Sequence, residues 1–272
     1  MKIFISVDIE GIAGVSEQLQ GQRGNPEYEV ARRLMTQEAN AAIAGAFDGG
    51  ATSVTVADSH GPMRNMIAEE LDYRAELVSG KPRPLSMIQG LTEAYSGVVL
   101  IGYHGAAGEF GVLAHTISGL AFAEIRMNGE IVGEPTLFAG YAAEIGVPLL
   151  AASGDDHLCK EIAHQFPHAI QITTKTALGA HASKSLSPAV SRKRIQEAVT
   201  KAVQTADDTN LSQPCTPPLT VEVRMMRQLY ADAAALLPQI ERLSANHIRF
   251  TAVNHTEAIG TLSALALMAS AL

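Results

Sequence analysis

Three carboxylates and two imidazoles stand beside apolar runs of this chain: Asp8, Glu10, His60, His104 and Glu134. Asp8 and Glu10 close the run 2–7, where alternation aims both to one side of an extended segment. Carboxylates so close repel unless a cation or protons neutralise them. His60 follows an apolar run in Asp58-Ser59-His60-Gly61, and His104 follows another in Gly102-Tyr103-His104-Gly105. Glu134 precedes Pro135, a place where an acid also serves a helix start. Imidazole with carboxylate suits zinc, and suits manganese or iron less selectively. Five ligands exceed what one tetrahedral zinc takes while keeping a water site. Two ions sharing a bridging carboxylate would use all five. Paired ions of this kind activate water and polarise a carbonyl or phosphoryl group.

The elements that must position these groups read as alternating strands and helices. The runs 2–7, 53–57 and 98–102 are strands of buried type, rich in Ile, Val and Phe. Asn25-Pro26-Glu27 starts a helix, apolar residues recur at helical spacing, and Gly49-Gly50 stops it. Glu38 and Asn40 within it read as exposed or lightly packed. Strand, helix, strand in this order makes a right-handed parallel unit, so His60 emerges on the same sheet edge as Asp8 and Glu10. Ligands of α/β sheets bind beyond the carboxyl ends of parallel strands.

Further along, 75–78 reads as a short strand and 87–94 as a helix. A glycine-rich loop follows His104 and leads to His115. Residues 121–127 and 130–132, joined by Asn128-Gly129, read as a hairpin with a type I′ turn. A helix to 145, a strand 147–152, a helix opened by Gly154-Asp155-Asp156-His157 and a strand 170–174 come next. Asp155 and Asp156 read as caps, and His157, His164 and His168 as surface residues. A helix over 187–206, a proline-rich connector 213–218, strands 219–225 and 248–252, and helices 231–237 and 257–272 complete the chain. The fold class expected is α/β: a mostly parallel central sheet flanked by helices, with an inserted hairpin and a C-terminal α/β lobe over 213–272. One domain over 1–272 is expected, the lobe being appended to the main sheet.

The chain has 272 residues, 47% of them apolar, enough for a substantial core. Its net charge of -8 argues against a nucleic-acid partner. No apolar run reaches membrane-spanning length, so no membrane partner is expected. The N-terminus enters a strand without a cleavage pattern, and Cys159 and Cys215 form no metal-type pair. A cytoplasmic location without disulfides is therefore expected.

Motifs along nearly the whole chain resemble the zinc-dependent bacterial D-aminopeptidases associated with dipeptide-transport operons. They are Ser6-Val7-Asp8-Ile9-Glu10-Gly11, Asp58-Ser59-His60, Gly102-Tyr103-His104, His115 and Gly133-Glu134. Met35-Thr36-Gln37-Glu38-Ala39-Asn40, Gly154-Asp155-Asp156 and Leu186-Ser187-Pro188 add to them. The resemblance implies an α/β fold, two zinc ions per chain, and release of N-terminal D-amino acids from short peptides such as D-Ala-D-Ala. It implies Asp8, Glu10, His60, His104 and Glu134 as metal ligands, with Asp8 the bridge, and His115 as the catalytic histidine. It also implies a ring-built homo-oligomer, a homodecamer, whose channel admits short peptides. Two other readings stay open. One is a two-metal phosphoesterase, against which the sequence offers no basic clamp beside the ligands. The other is a non-catalytic, metal-stabilised peptide-binding protein.

Overall fold

A computed structural model of the chain describes residues 1–207 and 210–272. The chain opens with β1 (Lys2–Val7), α1 (Pro26–Asp48), β2 (Ser53–Asp58), β3 (Ala75–Val78) and β4 (Gly97–Ile101). The hairpin β5 (Phe122–Met127) and β6 (Glu130–Ile131) leads into α2 (Glu134–Glu144), β7 (Leu149–Asp155) and α3 (Asp156–Gln165). β8 (Ile170–Gly179), β9 (Ala182–Ser185) and α4 (Pro188–Gln204) follow. The C-terminal part holds β10 (Leu219–Met225), α5 (Gln228–Ala234), β11 (Glu241–Arg242), β12 (His247–Ala252) and α6 (His255–Ser270).

The first sheet has the order β3-β2-β1-β4-β7-β8-β9. All its pairings are parallel except β8 with β9. From β1 the chain builds outward through β2 and β3, then returns to the other side of β1 with β4. Strand order therefore reverses between β1 and β4, where the carboxyl ends of a doubly wound sheet leave a crevice. Ile3, Ile5 and Val7 on one face of β1 join a core with Ile43 of α1 and Ile195 and Val199 of α4. Phe4 and Leu100 on the other face join Phe138 of α2, Val221 of β10 and Leu262 of α6. Both faces being covered explains why these strands read as continuous apolar runs.

Asn25 caps α1 through Glu27 N, with Pro26 in the first turn, as its sequence predicts. The hairpin turn also matches: Asn128 and Gly129 have φ of 52° and 91°, the type I′ signature. Gly11 and Gly102 let the β1 and β4 ends approach. A Cβ on Gly11 would lie 2.0 Å from the Tyr103 carbonyl oxygen, and one on Gly102 would lie 2.3 Å from that of Asp8.

Four readings need correction. The C-terminal strands are not appended to the main sheet. β10 pairs antiparallel with both β5 and β12, which builds a second five-stranded sheet, β11-β12-β10-β5-β6. β10 finds its second ladder partner in the distant hairpin, and its apolar face, Leu219, Val221 and Val223, joins the core with Leu262 of α6. Residues 87–94 form no α-helix; a single 3-10 turn spans Ser86–Ile88. The carbonyl of Met87 is taken by the hydroxyls of Ser6 and Ser59 at 2.9 and 3.1 Å, not by the next helical turn. β8 runs five residues beyond 174 and turns back as β9. Helix α5 begins three residues before 231, at Gln228.

Candidate metal centre

Asp8 is the first residue past β1, and its amide still donates to Ile101 of β4, at 2.8 Å. Its two oxygens face different imidazoles: Oδ1 lies 3.3 Å from Nδ1 of His60, and Oδ2 lies 3.3 Å from Nε2 of His104. Glu10, two residues on, brings Oε2 to 3.1 Å from the same His60 nitrogen. Glu134 brings Oε2 to 3.3 Å from Nε2 of His104 and Oε1 to 3.9 Å from Nε2 of His115. All five residues read as ligands, together with His115, thus converge beyond the ends of β1, β2 and β4.

Glu134 does not cap its own helix. Gly133 occupies the cap position without a side-chain bond. The Glu134 carboxylate instead accepts from Ile117 N at 2.7 Å and turns into the cluster. His115 returns from the glycine-rich loop because its amide donates to Gly105 O at 3.1 Å. Asp155, expected as a cap, caps α3 and also accepts from Val112 N at 2.6 Å, which ties that loop down.

Each imidazole spends one nitrogen on a backbone carbonyl. Nε2 of His60 meets Gly21 O at 2.8 Å, Nδ1 of His104 meets Gly105 O at 3.0 Å, and Nδ1 of His115 meets Leu113 O at 2.9 Å. A donated N–H fixes the tautomer, so in neutral rings the other lone pair faces the carboxylates. This is the orientation that metal-ligating histidines take. Lone pairs facing carboxylates repel unless a cation or proton lies between them. Nε2 of His104 and Oε2 of Glu134 are buried with no hydrogen-bond partner among the described residues. Donor atoms of Asp8, Glu10 and His104 lie within 4.8 Å of one another, and so do those of His104, His115 and Glu134. The residues present fit a metal centre.

The electrostatics point the same way. Burial pushes the Asp8 carboxyl up, but the imidazoles of His104 and His60 reverse this and hold it well below the usual carboxylate range. Burial likewise opposes charge on His60 and His104, and the carboxylates around them outweigh it, so both imidazoles are raised well above 6.5. Without a metal, protons take the place of the cation.

Several contributing residues were not legible in the sequence. Lys175 of β8 is buried, and its Nζ donates to the carbonyls of Glu10, Ile12 and Val15, gripping the turn that carries Glu10. Alternation sets it with Gln171 and Thr173, opposite the buried Ile172 and Thr174, and a register shift between β7 and β8 turns it inward. Glu38, read as exposed or lightly packed, is 1% exposed and accepts from Ala13 N at 3.1 Å. Asn40 is partly buried and bonds Glu70 O and Asp72 N, each at 2.8 Å. A cavity of about 220 Å³ is lined by Asp8, His60, His115 and Glu134, and also by Lys81 and Arg83. These two supply the basic groups that the sequence did not place beside the ligands.

The profile of the Peptidase M55 family, described as D-aminopeptidase, matches residues 1–264. A D-aminopeptidase of Bacillus subtilis (strain 168) is 35% identical over 260 residues, which covers 95% of this chain and 94% of that protein. Among solved structures, the Zn-dependent D-aminopeptidase DppA from Bacillus subtilis, a self-compartmentalizing protease, superposes with a TM-score of 0.94 at 32% identity. The match covers 100% of this chain and 99% of that one. With a family profile matched over residues 1–264 and a relative 35% identical over 95% of its length, the chain belongs to the M55 family of peptidases, the D-aminopeptidases.

Proposed function

We propose that the chain is a dinuclear zinc aminopeptidase that releases an N-terminal D-amino acid from short peptides such as D-Ala-D-Ala. The observation that carries this reading is the splayed Asp8 carboxylate, one oxygen toward His60 and the other toward His104. Asp8 is assigned the bridging place, with Glu10 and His60 on one side and His104 and Glu134 on the other. Zinc bound there supplies Lewis acidity that polarises a peptide carbonyl and makes water nucleophilic near neutral pH.

His115 is assigned proton transfer. Its side chain is 24% exposed, against 1% for His104, so substrate can reach it. With Nδ1 fixed on Leu113 O, Nε2 can take a proton from the attacking water and return it to the leaving amine. Substrate enters through the cavity that His115 lines.

The named relatives support zinc and D-peptides, and the self-compartmentalizing neighbour supports a closed homo-oligomer. A homodecameric ring is the assembly proposed; light scattering that finds a monomer at working concentration refutes it. One domain over 1–272 is the organisation proposed, and the core shared by the two sheets, which includes Phe4 and Val221, supports it. No helix among the described residues is long and apolar enough to cross a membrane. Both cysteines are buried and free, which agrees with a reducing cytoplasm.

Lys81 and Arg83 beside the cluster favour one second reading, a two-metal phosphoesterase. The zinc-loaded protein should be assayed on D-Ala-D-Ala, L-Ala-L-Ala and a phosphodiester. Cleavage of the D-dipeptide supports the aminopeptidase. Cleavage of the diester alone replaces it, and metal without turnover leaves a binding protein.

A further inference from the structure

The cavity beside the cluster holds two cations that the metal centre does not use. Arg83 is 9% exposed. Its Nε donates to Gly80 O and its Nη2 to Val78 O at 3.2 Å, while Nη1 has no hydrogen-bond partner among the described residues. Guanidinium is a planar fork of donors that never deprotonates, and a buried donor left unmade costs free energy that an anion can relieve. Lys81, two residues before it, is exposed and has no ion-pair partner among the described residues.

Among the described residues, the only carboxylates lining the cavity are Asp8 and Glu134, and both belong to the metal cluster. Asp58, the acid that acts on Arg83 electrostatically, is already committed. Its oxygens accept from Asn65 N, Asn65 Nδ2 and Met66 N at 2.5–2.8 Å.

The loop that carries the pair is fixed to the site. Ser6 near the end of β1 and Ser59 just past β2, close in sequence to Asp8 and His60, hold the Met87 carbonyl, and Tyr103 closes their network at 2.7 Å from the Ser6 hydroxyl. At the loop's other end, Gly80 N donates to Met63 O at 2.5 Å. The cations therefore stand at a set distance from the cluster. The cavity, at about 220 Å³, is smaller than the roughly 300–1,000 Å³ of drug-sized ligand sites. Small and apolar residues of α6, among them Ala266 and Leu267, line it as well.

We propose that Arg83, assisted by Lys81, receives the C-terminal carboxylate of the peptide. The inference rests on the aminopeptidase reading and deepens it. The cluster takes the amino end and the scissile bond, and the basic pair takes the carboxyl end. Selection for very short peptides then arises within one subunit's own cavity. A carboxylate there accepts a charge-assisted hydrogen bond from Nη1.

The test compares D-Ala-D-Ala with its C-terminal amide on the zinc-loaded protein. The acid should win by about 10–100-fold in kcat/KM, the worth of a charge-assisted hydrogen bond, with the difference mostly in KM. Lys81→Met and Arg83→Met should each shrink that ratio while zinc content stays the same. Arg83→Met also loses two loop hydrogen bonds, so Arg83→Lys is run beside it. It keeps the charge without the planar fork, and should give an intermediate ratio. Calorimetric titration of the uncleavable reduced isostere of D-Ala-D-Ala and of its amide should show the same order of affinity. Equal turnover of acid and amide by the parent protein overturns the carboxylate site and leaves the aminopeptidase reading standing. Turnover of neither overturns both.

Discussion

The imidazoles of His104 and His115 are stacked, with ring centroids 4.1 Å apart and planes 12° from parallel. One ring is sealed among carboxylates, and the other opens to two cavities. The stack gives two histidines eleven positions apart separate work. His115→Ala is expected to keep the fold and the zinc but to lose about 10²–10⁴-fold in kcat, the usual worth of a positioned proton carrier. KM should change less. His104→Ala should instead lower zinc occupancy. Elemental analysis and steady-state kinetics on both variants check this, and loss of zinc from His115→Ala would make His115 a ligand.

Lys175→Met removes three hydrogen bonds at once and leaves the carbonyls of Glu10, Ile12 and Val15 without their donor. Buried acceptors left unmade cost about 1–3 kcal/mol each. A loss of several kcal/mol in urea unfolding is expected, with faster zinc release because the Glu10 turn loosens. Unchanged zinc release in the folded variant would remove Lys175 from any part in positioning Glu10.

Glu38 is a buried carboxyl that burial pushes up to about 7 from 4.5. A carboxyl raised on folding loses stability as pH climbs from the unfolded value to the folded one. Glu38→Gln keeps an acceptor for Ala13 N and removes the titration. It should raise stability by up to about 3 kcal/mol at pH 8, and by under ~1 kcal/mol at pH 5. Denaturant unfolding at the two pH values reads the difference, and an equal effect at both would refute it.

Metal-free protein should respond to pH through the cluster itself. His60 and His104 are raised on folding, so their contribution is full below 6.5 and is lost as pH rises through their folded values. Asp8 is lowered, so its contribution is full above 3.8 and is lost on acidification. Stability of the metal-free form should therefore peak between about 4 and 6.5. Zinc requires neutral imidazoles, so the gap in Tm between zinc-loaded and metal-free protein should widen from pH 5 to pH 8. A gap that narrows over that range would contradict the ligand set.

The parts legible in the sequence are those governed by local rules. Asn25-Pro26 announces a helix start, Asn128-Gly129 a hairpin, and an apolar run closed by Asp8 a strand end. The shared sheet edge followed from the handedness of one βαβ unit, and it brought His60 to Asp8. What stayed hidden was non-local. Whether Glu38 is buried depends on Ala13, and whether Lys175 grips a turn depends on carbonyls more than 150 positions away. The partner of β10 is a hairpin about ninety residues earlier. Lys81 and Arg83 sit in an irregular loop whose place is set by two serine hydroxyls, and no spacing rule reaches that far.

Zinc titration of chelator-stripped protein tests the central claim most directly. Bound zinc, measured by elemental analysis, is followed together with turnover of D-Ala-D-Ala. Activity should be absent without metal and should reach its plateau at about two zinc ions per chain, as a shared two-metal site requires. Full turnover by protein that holds no metal, or a plateau at one ion per chain, would contradict the account.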